Sequence, residues 1–364
     1  MTAKFERIAA ECHSPSEWGM RLPPWSTPFF ERWEDAVLRT GWLLIGGVTV
    51  LWAGAAAAEV GMRALAFTDP ADGGTARAVV WYPTDAPETP VRRGPFTFQV
   101  AEGAPVAEGR HALVILSHGS GGSAFGHADT AMALARRGYV VAAVHHRGNA
   151  FDDDRDAGTE RMWRKRPAQL SAALDHVLAD PDLAGRVDGD RIGALGFSAG
   201  GYTVLVAAGG VAELGRIADH CRTPPAGERF CHLGNEETQA RVATRDPRIR
   251  AAVLTAPVGV PFSKDGLAGV TIPIRLYRAE RDEQIAATQV EGVRDRLPTP
   301  PEYEVVRDAG HFSFLMPVPA AIAAEVGPPA QDPPGFDRAA FHERLNTEIA
   351  DFFDRALAIG RQGR

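Results

Sequence analysis

The chain has 364 residues, of which 45% are hydrophobic, and its formal net charge at pH 7 is −7. This composition is ordinary for a globular protein with a full core, and the length suits one large domain or two small ones. The negative balance and the lack of a long basic run exclude nucleic acid as an expected partner.

The N-terminal part contains an uncharged apolar run, 41–58, which follows Arg39 and ends in the pattern Ala56-x-Ala58. These features are typical of a secretory signal peptide. The long preceding stretch leaves a membrane anchor and a buried helix open as alternatives. Because basic residues precede the run, we expect the rest of the chain to be exported.

The cysteines fit an oxidising compartment. Cys12 would be removed with a leader, which leaves Cys221 and Cys231 on either side of a Pro/Gly-containing loop. We expect this pair to form a disulfide, and two unrelated thiols are the alternative. A metal site is not expected, because only His220 and His232 flank the pair.

Downstream of 58, apolar runs typical of strands alternate with helical patterns. This alternation predicts an α/β domain with a mostly parallel eight-stranded sheet, helices on both faces and an antiparallel first pair of strands. The predicted strands are 61–67, 77–83, 111–118, 139–146, 191–197, 249–257, 272–278 and 302–308, and the predicted helices are 127–138, 167–181 and 199–209. A closing helix presents one apolar face, formed by Phe341, Leu345, Ile349, Phe352 and Phe353.

Two long irregular segments interrupt this alternation. The first, 210–248, contains the cysteine pair and is either a small cap over a pocket or surface decoration. The second, 316–336, is rich in proline. Loops of this length in a compact domain are usually functional or mobile.

Ser198 follows a predicted buried strand in the pattern Gly196-x-Ser198-x-Gly200. In a G-x-S-x-G motif the serine lies on a strained strand-to-helix turn with its hydroxyl exposed. A serine hydroxyl is a weak nucleophile until a base removes its proton. The motif therefore predicts an acid and a histidine later in the chain.

Both groups follow at the ends of later strands. Asp282 lies in the turn after 272–278, with Glu280 as a rival, and is expected to orient the histidine. His311 comes after the strand at 302–308, behind a glycine and beside Phe312. We interpret His311 as the general base.

The segment 116–126, a strand end followed by His-Gly-Ser-Gly-Gly, predicts backbone donors for an oxyanion. Ala199 N–H, after the nucleophile, is one expected donor, and Ser120 N–H or Gly119 N–H is the other. An anion-binding glycine loop is the rival, although no P-loop lysine follows. We expect His118 to be a packing and hydrogen-bonding residue.

Other residues near these strand ends are candidates for substrate contact. We expect Gly119, Phe197, Asn149 and Phe312 to line the site. Arg166 and Pro167 are interpreted as the start of a helix, with a substrate-carboxylate role for Arg166 as the minor alternative. The run Asp152–Asp154 lacks regular ligand spacing, so no metal is expected there.

The blocks "VWYPT", "LSHGSGGS", "RRGYVVAAVHHRGN", "DGDRIGALGFSAGG", "DPRIRAAVLTAP" and "DAGHFSFL" resemble the α/β-hydrolase fold, over roughly 59–315. More narrowly, they resemble bacterial predicted dienelactone hydrolases and plasma-type platelet-activating factor acetylhydrolases. The resemblance implies a Ser198–Asp282–His311 triad, oxyanion donors at Ser120 and Ala199, and a catalytic domain 59–364 after an extension 1–58.

The expected function is an exported serine carboxylester hydrolase, periplasmic or secreted, that acts on short-acyl esters without a cofactor. The resemblance adds acetylated phospholipids as candidate substrates.

Two departures from the family pattern matter. Dienelactone hydrolases proper use a cysteine where Ser198 stands, and the acetylhydrolases usually carry phenylalanine where Ala199 stands. Dienelactone, amide and polyester hydrolases, or a non-catalytic binding protein on the same scaffold, are the alternatives. Membrane contact through 41–58 is expected only if that segment is not cleaved.

Overall fold

A computed structural model describes residues 58–233 and 236–358. The N-terminal extension, including all of the apolar run 41–58 except Ala58, lies outside the described residues. No helix within the described ranges has both the length and the apolar character needed to cross a membrane.

Ten strands form one mixed sheet, and two very short strands form a separate ladder. The strands are β1 (Glu59–Thr68), β2 (Thr75–Thr84), β3 (Thr89–Arg93), β4 (Phe96–Glu102), β5 (His111–Ser117), β6 (Val140–His145), β7 (Val187–Phe197), β8 (Ala212–Glu213), β9 (Arg241–Val242), β10 (Ile249–Thr255), β11 (Ile274–Ala279) and β12 (Glu302–Val306). The order across the main sheet is β12-β11-β10-β7-β5-β6-β2-β1-β4-β3, and β8 pairs with β9.

The centre of the sheet is parallel. Strands β6, β5, β7, β10, β11 and β12 pair in parallel, whereas β1 and β2 pair antiparallel, as predicted. The central strands are nearly continuous apolar runs because helices cover both faces of the sheet. All six parallel strands end at the same edge, where the candidate site lies.

The helices divide between the two faces. They are α1 (Ala128–Arg136), α2 (Glu160–Ala179), α3 (Ala199–Ala207), α4 (Gly215–Cys221), α5 (Lys264–Leu267), α6 (Ala287–Arg296), α7 (Ala323–Val326) and α8 (Arg338–Ala356). Apolar residues of α2, α3 and α6 join the core on one face. Those of α1 and α8 join the core on the other, including all five predicted apolar residues of the closing helix.

The predicted strand number is too small. The hairpin of β3 and β4 was not predicted, and it extends the main sheet through a short parallel contact of β4 with β1. Strand β3 (TPVRR) carries two arginines and a proline, which hide its strand character. Strand β4 does carry a signal, the alternation of Phe96, Phe98 and Val100.

The predicted start of α2 is also wrong. The helix begins at Glu160, with the Thr159 side chain as its N-cap, so Pro167 lies inside it. Proline cannot donate to the carbonyl four residues earlier, here that of Trp163. The Tyr202 hydroxyl on α3 donates to that carbonyl at 3.1 Å instead. A tertiary hydrogen bond thus compensates the proline, which local sequence cannot reveal.

The described residues of the two irregular segments make specific contacts with neighbouring parts of the domain. Segment 210–248 contains β8, α4, a one-turn 3-10 helix and β9, and its disulfide loop contacts the chain after β11. Its interpretation as a cap stays a prediction. Segment 316–336 is fixed by Arg338, which binds the Asp332 carboxylate and the carbonyls of Pro329 and Gln331.

Candidate active site

Ser198 occupies the turn between β7 and α3. Its φ is 54° and its ψ is −117°, a conformation that is strained for a residue other than glycine. The flanking glycines are required by close contacts. A Cβ on Gly196 would overlap the Gly200 carbonyl, and a Cβ on Gly200 would overlap the Ser117 carbonyl at the end of β5. This is the geometry of a nucleophile elbow.

The neighbouring strand holds the Ser198 backbone in place. Ser198 N–H donates to the Thr255 carbonyl at 3.0 Å, and Val258 N–H donates to the Ser198 carbonyl at 3.1 Å. Between them, Ala256 has a φ of 43°, a second strained position. The chain after β10 therefore supports the strained turn, a contribution that the sequence did not indicate.

His311 and Asp282 form a buried pair. Asp282 Oδ2 lies 2.8 Å from His311 Nδ1, and the side chains are 3% and 5% exposed respectively. Asp282 Oδ1 accepts the backbone N–H groups of Gln284 and Ile285, each at 2.8 Å. An ionised carboxylate can only accept, so Nδ1 carries the proton and His311 Nε2 presents a lone pair.

The pair lies beside the serine turn. The ring of Phe197, the residue before Ser198, is 4.7 Å from the His311 ring, centroid to centroid. The structure thus brings Ser198, His311 and Asp282 together at one edge of the sheet. The rival acid Glu280 points elsewhere, because its Oε2 accepts Asp308 N–H at 2.9 Å.

The Gly-rich loop after β5 adjoins the serine. A methyl group at Gly119 would lie 3.3 Å from Ser198 Cβ and 3.0 Å from the Phe197 ring. Ala199 is the first residue of α3, where a backbone N–H has no acceptor within the helix. Within residues 58–233 and 236–358, Ser120 N–H also has no hydrogen-bond acceptor. Both predicted oxyanion donors are therefore free to bind an anion.

The predicted substrate contacts fall in two groups. Phe197 and Phe312 flank the His311 ring, with Phe312 edge-on at 5.4 Å, and Gly119 lies against Phe197. Asn149 departs from the prediction, because it is 1% exposed and its amide is used inside the protein. Asn149 Nδ2 donates to Ser120 Oγ at 2.8 Å, so Asn149 supports the loop from behind.

The disulfide loop buttresses the segment that carries Asp282. Cys221 and Cys231 are joined by a disulfide. Within this loop, Glu228 Oε1 accepts Ala286 N–H at 2.8 Å and Gln289 Nε2 at 2.6 Å, and Arg229 N–H donates to the Glu283 carbonyl at 2.8 Å.

Glu228 also hydrogen-bonds His220 through Oε2. The donor atoms of His220, Glu228 and Cys231 lie within 4.8 Å of one another, a grouping that could hold a metal ion. The Cys231 sulfur is bonded to Cys221. It is therefore not a thiolate, which is the form of cysteine that ligates metals.

Two neutral histidines lie behind the Gly-rich loop. The Gln169 side-chain nitrogen donates to Asp69, so the Gln169 side-chain oxygen faces His146 and accepts its Nδ1–H at 2.9 Å. His146 Nε2 is then unprotonated, and it accepts the Ser117 hydroxyl at 2.7 Å. His118 Nε2 accepts His146 N–H, which leaves His118 Nδ1–H to donate to the Gly119 carbonyl at 2.6 Å. Burial, together with the nearby Arg166 charge, lowers the pKa of both histidines well below its usual value.

Arg166 lies in the same network and is 1% exposed. Burial lowers the pKa of its guanidinium to about 9, so the group stays charged at neutral pH. Neither of its sequence interpretations holds, because it lies inside α2 and is closed off from substrate. Thr203 and Glu228, together with Ser117, His146 and Gln169, are polar residues around the site that sequence reasoning missed, and the role of Arg166 was misassigned. A charged residue before a mid-helix proline was the one available signal.

Comparisons with known proteins agree with this architecture. The model of the prolyl oligopeptidase family matches residues 123–214, which include Ser198. Lipase 1 of Moraxella sp. (strain TA144) is 40% identical over 72 residues, which are 20% of this chain and 19% of that protein. The chain thus matches only about a fifth of the length of this curated relative.

Two solved structures are similar over most of their length. A ferulic acid esterase from Streptomyces cinnamoneus has a TM-score of 0.57 at 23% identity, covering 86% of this chain and 94% of its own. A dienelactone hydrolase-like promiscuous phosphotriesterase from metagenomic libraries has a TM-score of 0.51 at 17% identity, covering 82% and 99% respectively. The chain has the α/β-hydrolase fold. Within that fold, the buried His311–Asp282 pair lies beside the turn that carries Ser198.

Proposed function

We propose that this protein is a serine carboxylester hydrolase that works through an acyl-enzyme. The observation that carries the proposal is the buried His311–Asp282 pair, at 2.8 Å, beside the strained Ser198 turn. A strained turn that exposes a serine and a histidine with a fixed tautomer are the two requirements for activating a hydroxyl.

The reaction follows from these positions. His311 Nε2 takes the Ser198 hydroxyl proton while Ser198 Oγ attacks the ester carbonyl, and the N–H groups of Ser120 and Ala199 bind the resulting oxyanion. His311 then gives its proton to the leaving alcohol. In the second half, His311 deprotonates a water that attacks the acyl-enzyme. The protonated His311 then returns this proton to Ser198 Oγ as the bond to the acyl group breaks, which releases the acid and restores Ser198. Asp282 stays ionised throughout and stabilises the imidazolium.

The proposed substrates are short-acyl esters, with acetylated phospholipids of the platelet-activating-factor type among them. The family resemblance supports this choice, and the similarity to proteins named lipase and ferulic acid esterase supports ester chemistry in general. The test is a panel of p-nitrophenyl esters of increasing acyl length, a feruloyl ester and an acetylated phospholipid, each measured as kcat/KM.

The expected result is a steady decline of kcat/KM with acyl length and a loss of roughly 10⁴- to 10⁶-fold in Ser198→Ala. Hydrolysis by Ser198→Ala at close to the wild-type rate would refute the mechanism. A preference for long acyl chains would refute the substrate proposal while leaving the mechanism intact.

A second candidate is an amide or peptide hydrolase on the same three residues. The match of residues 123–214 to the prolyl oligopeptidase family favours it. Matched ester and anilide substrates with the same acyl group separate the two. Faster turnover of the anilide under conditions where acylation limits the rate would favour the peptidase.

We further propose that the protein is exported. The disulfide between Cys221 and Cys231 supports this, because such bonds persist mainly in oxidising compartments. The apolar run 41–58 also supports it. Fractionation of cells that express the full chain, with mass measurement of the mature N-terminus, tests export and cleavage together.

A further inference from the structure

The Arg166 side chain is a charged group enclosed by neutral partners. Its Nε donates to Thr203 Oγ1 at 3.1 Å and its NH1 to Asn149 Oδ1 at 2.6 Å. Its NH2 donates to Ser117 Oγ at 3.3 Å and to the His118 carbonyl. Four hydrogen bonds thus hold the guanidinium, and all four acceptors are uncharged.

No carboxylate of the described residues lies within salt-bridge distance of Arg166. The adjacent Lys165 shows the contrast. It is 4% exposed, and its ammonium lies 3.1 Å from Asp156, 3.3 Å from Asp69 and 3.5 Å from Asp72. Burying a cation without a counter-charge is unfavourable, so Arg166 lowers the stability of the fold relative to a neutral side chain of similar size at this position.

The partners of Arg166 lead to both halves of the oxyanion hole. Thr203, which accepts from Arg166, donates its hydroxyl to the Ala199 carbonyl at 2.9 Å. Asn149, which also accepts from Arg166, donates to Ser120 Oγ at 2.8 Å. One planar guanidinium therefore connects, through a single side chain on each side, to the two residues whose N–H groups are the proposed donors.

The third connection runs through His118. Arg166 binds the carbonyl of His118, and the His118 ring donates to the carbonyl of Gly119. The Gly119 carbonyl belongs to the same peptide group as Ser120 N–H. A donor on the carbonyl polarises that peptide and fixes its plane, which strengthens the N–H as a donor on the opposite side.

We propose that Arg166 is the positioning residue of the oxyanion hole, aligning the Ser120 and Ala199 donors through Asn149, Thr203 and the His118 carbonyl and favouring the negative charge of the tetrahedral intermediate at Ser198. This role rests on the proposed serine hydrolase function. The lack of a neighbouring carboxylate among the described residues is what the role requires, since an adjacent anion would cancel the field of the guanidinium. The charge is fixed before reaction, so the transition state gains its stabilisation without reorganisation.

The test compares Arg166→Met, Arg166→Lys and the matched control Lys165→Met, which removes a buried but compensated cation one position away. Each variant is measured for Tm, for the fraction of active sites by fluorophosphonate titration, and for kcat and KM with p-nitrophenyl acetate. The affinity for an alkylboronic acid, which forms a tetrahedral anionic adduct with the serine, is measured in parallel.

For Arg166→Met we expect kcat per active site to fall by about 10- to 100-fold and boronate affinity to fall by a similar factor, with KM nearly unchanged. Arg166→Lys should recover part of the loss, because the charge remains while the fork is lost. Lys165→Met should lower Tm and leave kcat per active site unchanged. A purely structural role would move Tm and the active fraction alone.

If Arg166→Met does not fold, the variants Asn149→Ala and Thr203→Val test the inference instead. Each removes one of the side chains that connect Arg166 to a residue proposed as an oxyanion donor. Each should lower kcat and boronate affinity together, by about three- to tenfold. Values of kcat and boronate affinity within twofold of wild type in the folded variants would overturn the inference. A wild-type protein that neither binds boronate nor reacts with fluorophosphonate would instead refute the proposed function.

Discussion

The two sides of the candidate site are supported in different ways. On the acid side, Asp282 lies in a segment fastened by a disulfide loop, through the Glu228 carboxylate and the Arg229 backbone. On the oxyanion side, the Gly-rich loop is fastened by a buried cation that has only neutral partners.

In the proposed mechanism, this difference follows from what each side must do during the reaction. Asp282 carries its charge before and after each step, so its surroundings need only hold it still and solvate it with N–H groups. On the other side, negative charge is proposed to form beside the Gly-rich loop only in the tetrahedral transition states and intermediates, on the former carbonyl oxygen of the substrate. The positive charge of Arg166, which has no counter-ion among the described residues, suits the oxyanion side. The disulfide and the Glu228 carboxylate suit the Asp282 side, where the segment only has to be held in place.

Among the residues that support the two sides of the site, the largest effect is expected from Asp282. Asp282→Asn keeps the shape but favours the wrong histidine tautomer, and kcat should fall by about 10³- to 10⁴-fold. Steady-state kinetics on a short-acyl ester measure this. The control is Glu280→Gln, two residues away, which should retain nearly full activity. A loss below tenfold in Asp282→Asn would show that another group orients His311.

Low pH should destabilise the protein through three buried histidines near the Gly-rich loop. His118, His127 and His146 are buried and neutral, and burial lowers the pKa of His127 to about 4. Below the unfolded pKa of about 6.5, only the unfolded chain binds these protons, so stability falls as the pH decreases towards 4.

For His127 alone this amounts to about 2 kcal/mol between pH 6.5 and 5, at about 1.36 kcal/mol per pH unit. Urea unfolding at pH 7.5 and 5 measures the change in the free energy of unfolding to which the three histidines contribute. His127→Gln should remove part of the pH dependence. A free energy of unfolding that is equal at the two pH values would contradict the neutral, buried state of these groups.

The disulfide is expected to matter more for stability than for chemistry. Replacing both Cys221 and Cys231 with serine opens a short loop, with a sequence separation of 10, and should cost about 2–3 kcal/mol. Because the loop contacts the Asp282 segment but not the reacting atoms, kcat should change only severalfold. Urea unfolding and kinetics measure the two effects, and reduction of the wild type with dithiothreitol should reproduce them. An unchanged unfolding free energy would show that the loop does not buttress the acid segment.

The smallest effect is expected from the carboxylate inside that loop. In Glu228→Gln one accepting oxygen becomes a donor, which leaves a buried hydrogen bond unmade and should cost about 1–2 kcal/mol. Glu283→Gln is the matched control, because that side chain is 68% exposed and its ion pair with Arg229 spans 3.4 Å. Equal free energies of unfolding for the two variants would show that the Glu228 carboxylate does not stabilise the Asp282 segment.

Much of this architecture was predictable from local sequence. The central strands are continuous apolar runs, and Ser198, Asp282 and His311 each follow one of them, so their convergence follows from parallel strands ending at one edge. The β3–β4 hairpin was missed because its first strand is short and charged. The start of α2 was missed because Pro167 lies inside the helix, where a hydroxyl from α3 satisfies the exposed carbonyl.

The hydrogen-bond networks that support the site could not be predicted from the sequence, for a different reason. Arg166 acts with Ser117, Asn149 and Thr203, which come from separate elements and share no spacing pattern. Glu228 likewise meets Ala286 only because a disulfide loop folds across the chain after β11. Reacting residues carry local motifs, whereas the residues that hold them are defined by tertiary contact.

The most direct test of the central claim is covalent labelling of the folded protein with a fluorophosphonate, followed by peptide mass mapping. We expect one label per chain, on the peptide that contains Ser198, and no label in Ser198→Ala. Absence of label from the folded wild type, or equal labelling of Ser198→Ala, would contradict the assignment of Ser198 as the nucleophile.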